Sequence, residues 1–294
     1  MIKIEGQGGI TATIIQDSTA NGIRITTFEL EYPRFIHSEL MTHRMFSRNA
    51  ASSRAIPIEA VLERVQRNPA TPIHWGVNQP GMQAKTELTG EELLVAQVGW
   101  SEAASSAIDH SGYLAELGVH KQIANRITEP FQFMKTVVTA TEWQNWYDLR
   151  NHEDAQPEIH ELARCMLTAH LQSTPMQLNT GDWHVPYVER KLLDEKVWYY
   201  SGETIIDKPT AAMISASCCA QVSYRKNDDS IEKARVIYDR LVGMTPKHSS
   251  PFEHQARVPA FTKNSWEFGY THMDIRQQMW SGNFRGWTQN RQLI

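Results

Sequence analysis

Two runs on either side of Asn21-Gly22 constrain the fold more than anything else in the chain. "ITATIIQDS" and "GIRITTFELEY" alternate apolar with polar residues and are rich in β-branched side chains, as strands with one buried face require. Asn-Gly between such runs is the strongest short-range hairpin signal, because a tight turn of the right twist needs positive φ at both central positions. An antiparallel ribbon is therefore expected from about residue 10, with Pro33 ending its second strand.

The rest reads as helices with one further strand. "FIHSELMTHRMF" predicts a short helix, and "PIEAVLERVQRN" another with proline in its first turn. Residues 68–89, rich in Pro, Gly, Asn and Gln, predict a long surface loop of the kind that is often functional. "TGEELLVAQVGWSEAASSAIDHSGYLAEL" has a threonine cap and an acidic first turn and runs as a helix to Gly118. "VHKQIANRI" continues helically to Pro130, and "FQFMKTVVTA" is a strand. "EWQNWYDLR", "AQPEIHELARCMLTAHLQ" and "DSIEKARVIYDRLVG" are helices, the last ended by Gly243. An α+β fold follows, an antiparallel sheet with several long helices, in one large domain or two closely packed halves.

"THRMFSRNAASSRA", Thr42 to Ala55, holds three arginines, one histidine and three serines. The whole chain carries a formal net charge of −4, which excludes a general nucleic-acid binder. Its cations are therefore local and suit a small anion. A guanidinium fork matches two phosphate oxygens, and irregular spacing from Arg44 to Ser52 to Arg54 suits a loop folded around one. Composition alone allows a solvated polar loop equally well. There is no Walker loop, and "GQGG" lacks the strand–turn–helix context of a dinucleotide fingerprint.

Other clusters are open on pattern alone. "HSSPFEH" has no standard zinc spacing, so no metal is expected; it reads as a turn at a cofactor or as an ordinary helix start. Arg150 closes "EWQNWYDLR", where it would complement the helix dipole. Cys165 lies mid-helix and Cys218-Cys219 in a small-residue apolar run, so none is expected to be catalytic or disulfide-bonded, which favours a reducing cytoplasm. No signal peptide is expected from "MIKIEGQGGITATIIQD", and no apolar run reaches membrane-spanning length.

These pieces together resemble the flavin-dependent thymidylate synthase (ThyX) family. Its hallmark is an RHR triplet, seven residues, a serine, and an arginine two further on; here His43 and Arg44, then Ser52 and Arg54, keep that register. "ITTFELEYPRFIHSELM" is similar to the segment that leads into the motif. "ATEWQNWYDLRNHEDAQPEI" is similar to the family's "NARSLxxFLxLRxxxxAQxEI", with Asn145, Arg150 and Ala155-Gln156 in register. "KQIANRI" resembles the "KExAR" segment and suggests Arg126, with Asn125 as the alternative. In typical members a "VSY" strand and an H-x-[ST]-P-F-E-H turn precede the triplet. Here "CAQVSYRK" and "HSSPFEH" follow it by about 200 residues. "RQQMWSGNFRGWTQNRQ" looks like a second, altered copy of the segment after that turn. Duplicated or rearranged halves are implied: residues 1–200 with the phosphate loop and central helices, and 201–294 with the flavin turn, packed as one composite domain.

The resemblance implies a ThyX-like fold and a synthase that makes dTMP from dUMP, with FAD, NADPH as reductant and methylene-tetrahydrofolate as one-carbon donor. Glu39, Ser52, Ser53, Arg54, Arg126 and Arg150 would bind nucleotide, with Arg150 and Ser52 catalytic. His43, Arg44, Asn49, Asn145, His248, Ser250 and Glu253 would hold the flavin. A homotetramer is implied, and neither nucleic acid nor membrane is an expected partner. Thr42, Ala50 and Thr141 replace family residues, and Arg276, Arg285 and Arg291 are candidates to compensate. The alternatives are a related flavin enzyme such as a dUMP hydroxymethylase, or a non-catalytic nucleotide-binding relic. The rearranged layout would suit a viral or mobile element, the cytoplasm then being the host's.

Overall fold

The computed structural model describes residues 1–223, 228–260 and 268–294. After a short strand β1 (Ile2–Glu5), the hairpin forms from β2 (Thr11–Ala20) and β3 (Ile23–Pro33). Asn21 and Gly22 sit at φ of 52° and 75°, the left-handed pair the turn demands. The helix expected next is reduced to α1 (His37–Met41), and Ser47–Ala50, expected within an anion loop, is strand β4. Pairing with a distant strand explains that difference, because nothing local in "SRNA" favours extension.

Helices α2 (Ile58–Arg67) and α3 (Gly90–Glu116) flank the expected loop, and α4 (Lys121–Ala124) stops short of Pro130. Beyond α4 the backbone turns, with the Asn125 carbonyl taken by the side chains of Thr128 and Gln132 at 3.1 and 3.0 Å. Then come β5 (Phe133–Ala140), α5 (Gln144–Arg150) and α6 (Pro157–Gln172). The sheet order is β1-β2-β3-β5-β4 and is antiparallel throughout. A two-residue strand β6 (Met176–Gln177) adds parallel to β2.

The C-terminal part holds small strands β7 (Trp183–His184), β8 (Glu189–Leu193), β9 (Lys196–Ser201) and β10 (Thr204–Ile206). Helices α7 (Lys208–Ala220) and α8 (Ile231–Gly243) follow, then β11 (Ala256–Arg257), β12 (His272–Met273), β13 (Met279–Ser281), β14 (Phe284–Arg285) and β15 (Thr288–Gln289). In the "VSY" segment Val222 and Ser223 lie in a turn after α7 instead of a strand, and Tyr224 falls outside the described residues.

Both faces of the large sheet are covered. On one face Phe28, Leu30, Val138 and Ala140 pack against Ile159, Leu162, Ala163 and Met166 of α6. On the other, Ile25 packs with Val185, Phe284 and Trp287, and Val137 with Cys219 and Val222. Residues 136–140 of β5 are consequently buried without a break, as a strand covered on both sides must be. A β-bulge at Ile15 changes which face β2 presents: Ile14 pairs with Phe28, but the next pair is Gln16 with Thr27. The bulge turns Gln16 and Ser18 toward the C-terminal side.

Among the described residues no helix is long and apolar enough to cross a membrane. Leu162, fully buried between α6 and the sheet, is expected to cost about 2–5 kcal/mol when truncated to alanine. Leu94, 62% exposed on α3, is expected to cost less than about 0.5 kcal/mol. Urea unfolding of the two variants checks both values.

Candidate functional site

β4 is the hinge of the site because alternate side chains go to opposite faces of the sheet. Ser47 and Asn49 turn to the C-terminal side, where Ser47 Oγ donates to Asn283 Oδ1 at 3.1 Å and Asn49 Nδ2 to the Cys219 carbonyl at 3.1 Å. Arg48 turns the other way. Its Nη1 donates to the carbonyls of Met41, His43 and Leu40 at 2.8, 3.2 and 3.4 Å, closing the C-terminus of α1. Sequence reasoning passed over Arg48; its signal was a cation set shortly after a helix end.

That closure presents Thr42 and His43 to the last turn of α5. Arg150 Nε donates to His43 Nε2 at 3.0 Å, and its Nη2 donates to Thr42 Oγ1 at 3.3 Å. Its Nη1 meets Glu39 at 3.5 Å. The side chain is therefore aimed at α1 and not at its own helix carbonyls, and it remains 23% exposed. Thr42, read from the resemblance as replacing an arginine, accepts from Arg150 through its hydroxyl. His43 lies edge-on to Trp146 at 4.7 Å and beside Phe46 at 5.8 Å. Burial, then the charges of Arg150 and Arg48, push its pKa down to about 4. A neutral His43 accepts through Nε2, so its proton is on Nδ1. Burial raises the Glu39 carboxyl, and Arg150 opposes that rise.

The serine–arginine segment is held by a different set. Ser52 N donates to Ser223 Oγ at 2.9 Å, joining the phosphate-loop candidate to the "VSY" turn some 170 residues away. Asn125, fully buried, donates through Nδ2 to the carbonyls of Ser53 and Ile56 at 2.7 and 3.0 Å. Arg126 instead stands 56% exposed on Glu129 at 3.1 Å. Glu129 also takes Arg34 at 2.8 Å and Ser53 Oγ at 3.2 Å. Asn125 thus fastens the loop, and Glu129 gathers Arg34, Arg126 and the Ser53 hydroxyl beside it. Arg54 is exposed and has no side-chain partner among the described residues. A cavity of about 570 Å³ adjoins this segment, bounded by Ala51, Gln132, Lys135, Val61, Phe131 and Ser223.

In "HSSPFEH" the turn Ser250–Glu253 buries Pro251 and Phe252, while His248 stays exposed. The Glu253 carboxylate takes Arg291, and its carbonyl accepts from Gln289 Nε2 at 3.2 Å; burial lowers the Arg48 pKa, and the Glu253 charge opposes that fall. The turn is thereby tied to the β4 arginine. His254 is fully buried, with Nδ1 2.9 Å from Thr139 Oγ1. Arg44 and Asn145 are both exposed, with no side-chain partner among the described residues. Of the three arginines considered as replacements, Arg285 lies against Thr141, read from the resemblance as replacing a family residue. Its backbone N donates to Thr141 Oγ1 at 3.0 Å and its guanidinium pairs with Glu142. Arg291 reaches Glu253, and Arg276 is exposed.

No group of three or more metal-ligating side chains occurs among the described residues. All three cysteines are free and buried. Burial pushes the thiols of Cys165 and Cys218 up to about 11 and 12 and raises that of Cys219 well above its ordinary value, so none is poised as a thiolate.

The model of the family described as thymidylate synthase complementing protein matches residues 22–176, more than half of the chain. The chain belongs to that family. No curated protein matches it. Among solved structures it is similar to a UMP/dUMP methylase, PolB, from Streptomyces cacaoi bound with 5-Br dUMP. That likeness has 17% identity and a TM-score of 0.47, and covers 57% of this chain and 93% of that one. The same enzyme bound with 5-Br UMP matches at 18% identity and a TM-score of 0.46, over 57% and 92%.

Burial depresses His43 and His170 to about 4 and His254 to about 3, below the ordinary 6.5. The unfolded chain therefore binds more protons between pH 6.5 and 4, so their contribution is complete above pH 6.5 and is lost as pH falls through that window. The thermal midpoint is expected to drop between pH 7 and 5, and His43→Gln to make that drop shallower; calorimetry across pH checks it.

Proposed function

We propose that this chain is a flavin-dependent thymidylate synthase. In this reading a one-carbon unit passes from methylene-tetrahydrofolate to C5 of dUMP and is reduced to a methyl group, giving dTMP. The observation that carries the reading is the 3.0 Å contact of Arg150 with His43. Two motifs that the family match spans, more than a hundred residues apart, meet side chain to side chain.

C5 of uracil is a weak nucleophile, and it attacks more readily when negative charge at the N3–carbonyl edge is stabilised. Arg150 has five N–H groups; contacts with His43, Thr42 and Glu39 use three and leave one on each terminal nitrogen. Two free donors held in one guanidinium plane suit the edge of a pyrimidine ring. Pre-orientation by neutral His43 and Glu39 spares the reorganisation that a free arginine would need, an electrostatic role typically worth a few kcal/mol. Ser52, Ser53 and Arg54 would hold the nucleotide phosphate, with Arg126 drawn from Glu129.

The residues also fit a flavin dinucleotide. Arg44 is an exposed cation with no side-chain partner among the described residues, Asn145 and His248 are exposed donors or acceptors, and Ser250 and Glu253 bound a turn anchored by buried Pro251 and Phe252. FAD, reduced by NADPH, would supply the hydride that completes the methyl group. Asn49, bound to the Cys219 carbonyl, would position the loop. Two packed regions, 1–200 and 201–294, would then form one composite domain, in a homotetramer in which sites are shared between subunits.

Purified protein is expected to be yellow or to take up FAD on titration, and with all substrates to give a product heavier than dUMP by CH2. A product heavier by CH2O would mean hydroxymethylation, and protein that takes up no flavin would rule the reading out. Arg150→Ala is expected to keep folding, FAD content and dUMP affinity while turnover falls at least about a hundredfold. Arg150→Lys keeps the charge but loses the fork, and is expected to recover little of that rate. Wild-type turnover in the Ala variant would reduce Arg150 to packing.

A further inference from the structure

A continuous chain of hydrogen bonds crosses the buried face of the large sheet, outside the Arg150 cluster. Arg190 Nη1 donates to Ser18 Oγ at 2.9 Å, and Ser18 Oγ lies 2.7 Å from His184 Nδ1. His184 Nε2 lies 2.8 Å from Thr27 Oγ1, Thr27 Oγ1 is 2.7 Å from Thr139 Oγ1, and Thr139 Oγ1 is 2.9 Å from His254 Nδ1. Ser18, Thr27, Thr139, His184 and His254 are all fully buried. At the far end His254 Nε2 has no partner among the described residues.

The direction of this chain follows from counting protons. Arginine only donates, so Ser18 Oγ already accepts one bond, and a neutral imidazole carries one ring proton. Burial holds both histidines well below their ordinary pKa, which keeps them neutral. If Ser18 donates to His184 Nδ1, then His184 Nε2–H donates to Thr27, Thr27 to Thr139, and Thr139 to His254 Nδ1. Only the His254 Nε2–H is then left over. In the reverse direction both Arg190 and His184 donate to Ser18, stranding the serine proton, and the His254 Nε2 lone pair is stranded as well. One unpaired buried group is less destabilising than two.

We propose that Arg190 polarises this relay and thereby fixes His254 as the Nε2-protonated tautomer, which makes Arg190, Ser18 and His184 positioning residues for the Ser250–Glu253 turn. The turn ends where His254 begins, so the orientation of that ring sets the register of Glu253. The consequence for flavin binding rests on the function proposed above; the tautomer does not.

Long-range 1H–15N spectra of the full chain, with histidine labelled and no flavin added, read each tautomer. Wild type is expected to show bare Nδ1 and protonated Nε2 at both His184 and His254. In Arg190→Met the carbonyls of Asp17 and Trp183 each lose the Arg190 donor they take at 3.3 Å, which leaves acceptor capacity for the Ser18 proton although Tyr199 still donates to Trp183. The relay is then expected to reverse and move the His254 proton to Nδ1. A wild-type His254 protonated on Nδ1 would overturn the proposal, as would an Arg190→Met spectrum with unchanged tautomers. Should Arg190→Met fail to fold, Ser18→Ala cuts the same link, and a spectrum identical to wild type would overturn it equally. Reversal should also weaken FAD binding about tenfold with dUMP affinity unchanged. Reversed tautomers with unchanged FAD affinity would remove the positioning role. If wild type binds no FAD, the proposed function fails while the tautomer test stands.

Discussion

The pairing of Thr27 with Thr139 near one end of the β3–β5 ladder is the contact on which the rest of the molecule depends. Two hydroxyls on a fully buried sheet face need partners, because unpaired they would be costly. The C-terminal region answers with one histidine on each side, His184 and His254. This polar seam, set among the apolar contacts of Ile25 and Val137, fixes how that region lies on the sheet. Directional bonds allow one register where apolar packing alone would allow several.

The Arg150 cluster depends on the same sheet through its other face. β4 pairs with β5 next to Thr139, and its alternation sends Ser47 and Asn49 to the seam side and Arg48 to α1. Arg48 closes α1, α1 presents Thr42 and His43, and these orient Arg150. Burial lowers the Arg48 pKa, and Glu253 in the "SPFE" turn opposes that fall across the sheet edge. A displacement of the C-terminal region would thus be felt at Arg150 although the two share no direct bond among the described residues.

Local chemistry in the chain was enough for much of this. Period-2 alternation around Asn21-Gly22 marked the hairpin, helical spacing and caps marked α2, α3, α6 and α8, and β-branched density marked β5. The resemblance placed His43 and Arg150 in related motifs, and they touch. The strand at Ser47–Ala50 was hidden because "SRNA" extends only to pair with β5. The early end of α4 was hidden as well, because it depends on the Asn125 side chain reaching back to Ser53 and Ile56.

What the sequence by itself determined is therefore whatever obeys a local rule: turn residues with positive φ, the period of apolar side chains, and the register of a motif. Tertiary structure alone decided which side chains became partners across large separations. It took the bulge at Ile15 to turn Ser18 toward His184, and the double cover of β5 to bury Thr139 beside His254. It also chose Asn125 over Arg126 as the loop's fastener. Burial decides such partnerships, since a polar group is driven to a specific partner only once water is removed, and no local segment knows what will cover it.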